Sequence, residues 1–125
     1  VTFRFAELLP VAEELAGRFG AVEAHHRTAV GRAYYAAYHS AQRTWSRHSG
    51  ILARVDGRGS RHRAFHGVLV ADAGWRETGR ALQRLYRVRL IADYDPDHHV
   101  NAGQAAEAIR DARAVLKWLH GRRGR

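Results

Sequence analysis

The sequence predicts an all-α protein, an up-and-down bundle of four or five helices, on three observations. Alternating Val/Ile/Thr runs and Asn-Gly hairpin turns are nearly absent. Apolar residues recur instead at intervals of three and four. Glycine and proline fall where they divide the chain into helix-sized lengths.

The first helix is expected over 5–19, where Leu8, Leu9, Val11, Ala12, Leu15 and Phe19 share an apolar arc. Pro10 is tolerated in its first turn, and Gly20 ends it. A long second helix is expected over 22–47. Val30, Tyr34, Ala37, Ala41 and Trp45 form its core stripe, with small alanines that permit close helix packing. Arg32, Ala36, His39 and Arg43 fall on its opposite, polar side. Residues 48–61, "HSGILARVDGRGSR", contain three glycines and read as a mobile loop, the expected first site of proteolysis. Helices over 62–71 and 75–92 come next. "DYDPDHH" interrupts at 93–99, because Pro96 disfavours helix before it. Asn101 and Gln104 suit a capping box for a last helix reaching 119, with Ala105, Ala108, Ile109, Ala112, Leu116 and Leu119 on one stripe. The end, "GRRGR" at 121–125, reads as a solvated basic tail.

A chain of 125 residues, 46% of them hydrophobic, suits a single domain with one core. No window approaches a membrane span, and the start, "VTFRFAELLP", has no run resembling a signal peptide. The absence of cysteine excludes disulfides and thiolate catalysis. A cytoplasmic location is expected. Twenty-one basic residues, all arginine but Lys117, oppose 12 acidic ones and leave a net charge of +9. GC-rich coding alone enriches arginine. Whatever its origin, the charge attracts polyanions, either nucleic acid or an acidic partner protein.

The helix over 75–92 holds an oddity. At 100° per residue, Thr78, Ala81, Leu82, Leu85, Val88 and Ala92 share one apolar arc, and Arg89 falls inside it. Such an arginine either snorkels to solvent near the helix end or lines a cleft between two subunits, aimed at phosphate.

"RTAVGRAYYAAYHSAQ" at 27–42, followed by "LYRVRLIADYD" at 85–95, resembles the HEPN family of small prokaryotic helical proteins, often encoded beside a minimal nucleotidyltransferase. "FAELLPVAEELA" near the start and "AAEAIRDARAVLKWL" near the end extend the resemblance over most of the chain. It implies a homodimeric bundle and, as the best-known activity, a metal-independent ribonuclease toxin. The family's active members carry an Arg followed, after four to six residues, by a His. Here Arg89 carries over as the motif arginine, but apolar Leu90 follows it and Tyr94 stands five positions on in place of the histidine. A phenol is a poor base at neutral pH. His98 and His99 lie beyond the spacing and past Pro96.

The candidate catalytic residues are therefore Arg89, Tyr94 and His39, and the candidate RNA- or nucleotide-binding residues are Arg32, Arg43, Tyr35 and Asp93. Tyr35, Tyr38 and His39 either stack bases or serve packing, as Tyr34 and Tyr38 do if they belong to the core and the dimer contact. His62 and His66, spaced i, i+4, raise a metal site, but with no HExxH motif they read better as surface residues on a basic rim, "SRHRAFH". No metal or other cofactor is expected. The expected function is an RNA- or nucleotide-binding protein of a toxin–antitoxin or defence-type module, with metal-independent ribonuclease chemistry left open by the broken Arg–His pattern. The alternative is an inactive dimeric module that docks on a nucleotidyltransferase partner.

Overall fold

A computed structural model describes residues 2–49 and 60–122. It is all-α, with no strand among the described residues. A 3-10 turn, Phe5–Glu7, leads into α1 (Leu8–Gly17), followed by α2 (Glu23–Ser49), α3 (Arg61–Ala71), α4 (Arg76–Tyr94) and α5 (Ala102–Arg122). No helix among the described residues is long and apolar enough to cross a membrane.

The 27-residue α2, ~40 Å long, is the axis of the fold. It packs against α1, α4 and α5, while α3 lies on α4. Its contact face is largely alanine: Ala29, Ala33, Ala36, Ala37 and Ala41 have no exposed surface. Methyl groups let neighbouring backbones approach closely. Ala36, expected on the polar side, is thus core, because helices pack on α2 from several directions. Val30 and Tyr34 are buried as expected, and Trp45 is half-buried.

The ends of the helices correct several expectations. α1 stops at Gly17, so Phe19 lies in the connection to α2 and is fully exposed rather than part of an apolar arc. Val11 also faces solvent. Gly20 takes φ 73°, a left-handed turn that glycine adopts without strain. Of the loop expected over 48–61, His48 and Ser49 belong to α2, Ser60 caps α3 and Arg61 opens it. The remainder, 50–59, lies outside the described residues. The Asn101–Gln104 box forms reciprocally: Gln104 N–H donates to Asn101 Oδ1 at 2.9 Å, and Asn101 N–H to Gln104 Oε1 at 3.0 Å. Between α3 and α4 the approach is so close that a Cβ on Gly79 would lie 2.9 Å from the backbone nitrogen of Val70.

Two devices fasten the bundle. Arg27, ion-paired with Glu23 at 2.8 Å, donates to the carbonyls of Ile91 and Ala92, both at 3.0 Å, and to that of His98. Ile91 also accepts from the Asp95 N–H, so Arg27 reinforces the C-terminal cap of α4 and ties it to the following loop. The Arg27 guanidinium, with the Val100 N–H and His99, holds the Glu23 carboxyl down to about 2. At the other end, Trp45 and Trp118 each meet Trp75 edge-to-face, with centroids 5.2 and 4.8 Å apart. Arg122 lies over Trp75 and Trp118, 5.1 and 4.6 Å from their centroids. Gly121 and Arg122 are therefore the last turn of α5, not the start of a tail.

Candidate functional site

The site is built from side chains paired one helical turn apart. On α2, Tyr34 stacks on Tyr38 (5.5 Å, 28° between planes), and Tyr35 stacks on His39 (5.5 Å, 13°). The i, i+4 spacing sets both pairs one above the other on adjoining stripes. α3 adds His62 and His66 at the same spacing. α4 adds Tyr86, Arg89, Asp93 and Tyr94.

Arg89 is only 8% exposed. Its Nη2 donates to the Tyr35 hydroxyl at 2.6 Å. Its Nε lies 2.8 Å from Asp93 Oδ2, but the N–H does not point at that oxygen, so this is an ion pair without a hydrogen bond. The guanidinium carbon sits 5.1 Å from the Tyr35 ring centre and 5.5 Å from that of Tyr94. Among the described residues no hydrogen bond engages Nη1. Arg89 thus neither snorkels freely nor is wholly consumed by its partners.

Beside it lie two half-buried histidines. The His39 ring is held between Tyr35 and Phe5, the latter 4.1 Å away between centroids. Burial pushes its pKa down. His62 lies against Tyr38 (4.4 Å) and stacks on Tyr86 (5.2 Å, 17°). Burial, then the Arg89 charge, then His39, lower its pKa. Neutral imidazoles at neutral pH can accept protons.

Behind this layer the Tyr34 hydroxyl meets His62 Nδ1 at 2.8 Å and His66 Nε2 at 3.0 Å. His66 is buried, and burial and the neighbouring His62 bring its pKa down to about 4. Burial also raises the pKa values of Tyr34 and Tyr38. The Tyr86 hydroxyl is 3.0 Å from Ser60 Oγ.

The structure brings Arg89, Tyr35, His39, Asp93 and Tyr94 together, with Tyr94 at the rim, 69% exposed. Arg43 stands apart from Arg89, lining a small notch with Arg4, Phe5, His39 and Ser40. Arg32 is exposed and no described hydrogen bond or ion pair ties it to the cluster. The expected surface pair His62 and His66 is the main correction: both turn inward to one phenol, and only Arg61, Arg63 and Ala64 of that segment are exposed. The signal was present, since His62, Phe65, His66 and Leu69 recur at three and four and mark the face that α3 buries. Among the described residues no group of three or more His, Asp or Glu is placed to hold a metal. No protein-family model, curated protein or solved structure matches the chain.

Proposed function

We propose that this chain is a HEPN-type protein of a toxin–antitoxin or defence-type module, acting as a homodimer that binds RNA or a nucleotide at Arg89, in a basic cleft between the two copies, and cleaves RNA without metal. One observation carries the reading: a nine-tenths-buried guanidinium, fixed by Tyr35 and Asp93, has no hydrogen bond to Nη1 among the described residues and lies near two histidines whose pKa burial pushes down. Burial strengthens an arginine's grip on phosphate by excluding water, and the fixed fork sets its direction. In the reaction, the ribose 2′-hydroxyl attacks the adjacent phosphate. Arg89 stabilises the charge that builds on the phosphorane oxygens. An imidazole, His39 or His62, takes the 2′-hydroxyl proton. Tyr94 covers one face of Arg89 and offers its exposed ring to a base.

A second reading has its own support. Asp93 already neutralises much of the Arg89 charge, which suits an inactive module that offers its basic surface to a nucleotidyltransferase partner. An assay of the purified chain with RNA and excess chelator separates the two. The ribonuclease reading expects fragments ending in 2′,3′-cyclic phosphate, lost in Arg89→Ala. Intact RNA with wild-type protein overturns it in favour of the docking module. Light scattering that gives a single-chain mass at micromolar concentration would remove the homodimer from either reading.

A further inference from the structure

We propose that His62 is the proton acceptor of this site, and that Tyr34 and His66 form a relay that sets and resets its proton. The proposal rests on the ribonuclease reading above.

A tyrosine hydroxyl has one hydrogen to donate and oxygen lone pairs with which to accept. Here it lies within hydrogen-bond distance of two imidazole nitrogens, His62 Nδ1 and His66 Nε2. It can donate to only one of them. For both contacts to be hydrogen bonds between neutral groups, the other ring must donate to it. Two arrangements satisfy this. In the first, His62 Nδ1–H donates to the Tyr34 oxygen and the Tyr34 O–H donates to His66 Nε2. His62 Nε2 is then bare and basic, and the His66 proton sits on Nδ1. In the second, every proton has shifted by one bond: His66 Nε2–H donates to Tyr34, Tyr34 donates to His62 Nδ1, and His62 carries its proton on Nε2.

The reaction converts the first arrangement into the second. The 2′-oxygen forms its bond to phosphorus while its proton passes to His62 Nε2. His62 Nδ1–H passes to Tyr34, and the Tyr34 proton passes to His66 Nε2. His66 releases its Nδ1 proton to water. The bond from phosphorus to the 5′-oxygen breaks, and that oxygen takes a proton from water. No ring ends charged and no phenolate forms, as befits a deeply buried tyrosine and a histidine that resists protonation. The far end of the relay has an outlet: His66 lines an open pocket of about 400 Å³ with Arg63, Gln83, Tyr86 and Arg87.

His39 lacks such a device. Its ring is held on its faces by Phe5 and Tyr35, and no hydrogen bond among the described residues fixes either nitrogen. His62 has one nitrogen anchored and no described bond on the other. Among the described residues, the groups that face His62 are Tyr34, Tyr35, Tyr38 and His39 from α2 and Tyr86 and Arg89 from α4, and none of these is a carboxylate that would favour the imidazolium.

The test is nitrogen-15 NMR of the full chain with labelled histidine, joined to the chelator-treated RNA assay. At pH 7 the proposal expects His62 and His66 neutral and in the same tautomer, both protonated on Nδ1 in the resting arrangement. Tyr34→Phe, folded by circular dichroism, should release both from that pairing. In the assay, His62→Gln should lower cleavage at least a hundredfold. Tyr34→Phe should lower kcat about tenfold with KM little changed, and should move the acidic limb of the pH–rate profile. His39→Gln should cut the rate less than His62→Gln. Unlike tautomers, or His62 signals indifferent to Tyr34→Phe, overturn the relay. Equal cleavage by His62→Gln and wild type overturns His62 as acceptor. Like tautomers in a wild-type chain that leaves RNA intact overturn the ribonuclease reading and the catalytic use of the relay, while keeping the coupled pair as a structural fact.

Discussion

Two arginines each lie over two aromatic rings, and they occupy opposite kinds of surroundings. Arg122 rests on Trp75 and Trp118; Arg89 rests on Tyr35 and Tyr94. All three tryptophans gather around the first, and all five tyrosines lie in the cluster around the second. An indole offers a face and one donor, and the Trp75 Nε1–H is in fact buried without an acceptor among the described residues. A phenol adds a hydroxyl that donates and accepts. The tryptophan end can therefore clamp a cation but has little means of moving a proton. The tyrosine end can do both, because hydroxyls and imidazoles continue the contact inward from Arg89.

The comparison is sharpest in stability. Arg89→Ala strands Asp93 and the Tyr35 hydroxyl, and should cost about 3 kcal/mol, the low end for a broken buried ion pair because Asp93 is partly exposed. Arg122→Ala gives up ring stacking alone. Urea titrations of both variants check this, and equal losses would erase the distinction between clamp and site.

Acid should separate the ends next. Burial holds His66 neutral down to about 4, whereas the unfolded chain takes up that proton near the ordinary 6.5. The stabilising contribution is therefore complete above pH 6.5 and drains away as pH falls towards 4. Glu23, held at about 2, contributes above the ordinary 4.5 and is lost between there and 2. Melting temperatures should thus fall in two windows, and His66→Gln should flatten the first. A wild-type melting temperature level from pH 6.5 to 4.5 would contradict the burial argument.

For binding, Arg89→Lys keeps charge and stem but not the planar fork, so RNA affinity should weaken about tenfold, ~1.4 kcal/mol. Arg122→Lys, measured at the same salt concentration, should leave affinity unchanged. Equal losses would mean that general attraction by the +9 charge, rather than the Arg89 fork, governs binding. The smallest effect belongs to Arg122→Ala, about 1 kcal/mol with a shift in tryptophan emission. An emission spectrum unchanged by that substitution would place Arg122 away from the indoles.

How much of this was legible in the sequence follows from how local each feature is. The five helices, the Asn101–Gln104 box and the inward Arg89 each depend on spacing along one helix, and periodicity reveals them. The pairing of Arg89 with Asp93 was open to the same reasoning, being i, i+4 on α4. What joins distant segments was not legible. The His62–Tyr34–His66 contact spans 28 and 32 residues and depends on where α3 lands. The Arg122 clamp joins the end of α5 to Trp75, so the residue that looked like a free tail was already engaged. Phe19 misled for another reason: periodicity carries an apolar stripe onward past the place where the backbone stops being helical.

The alanines of α2 have a consequence in side-chain entropy. Ala29, Ala33, Ala36, Ala37 and Ala41 enter the core with no rotamers to lose. The ordering cost of this core therefore falls mainly on its rings, which sit interleaved with those alanines at Tyr34, Tyr35 and Tyr38. Once backbones have closed over methyl groups, the rings have little room to turn. A larger residue at any of these five alanines would push the helices apart and return torsional freedom to the tyrosines. A substitution meant to enlarge the core would then blur the directions of the hydroxyls on which the Arg89 site depends.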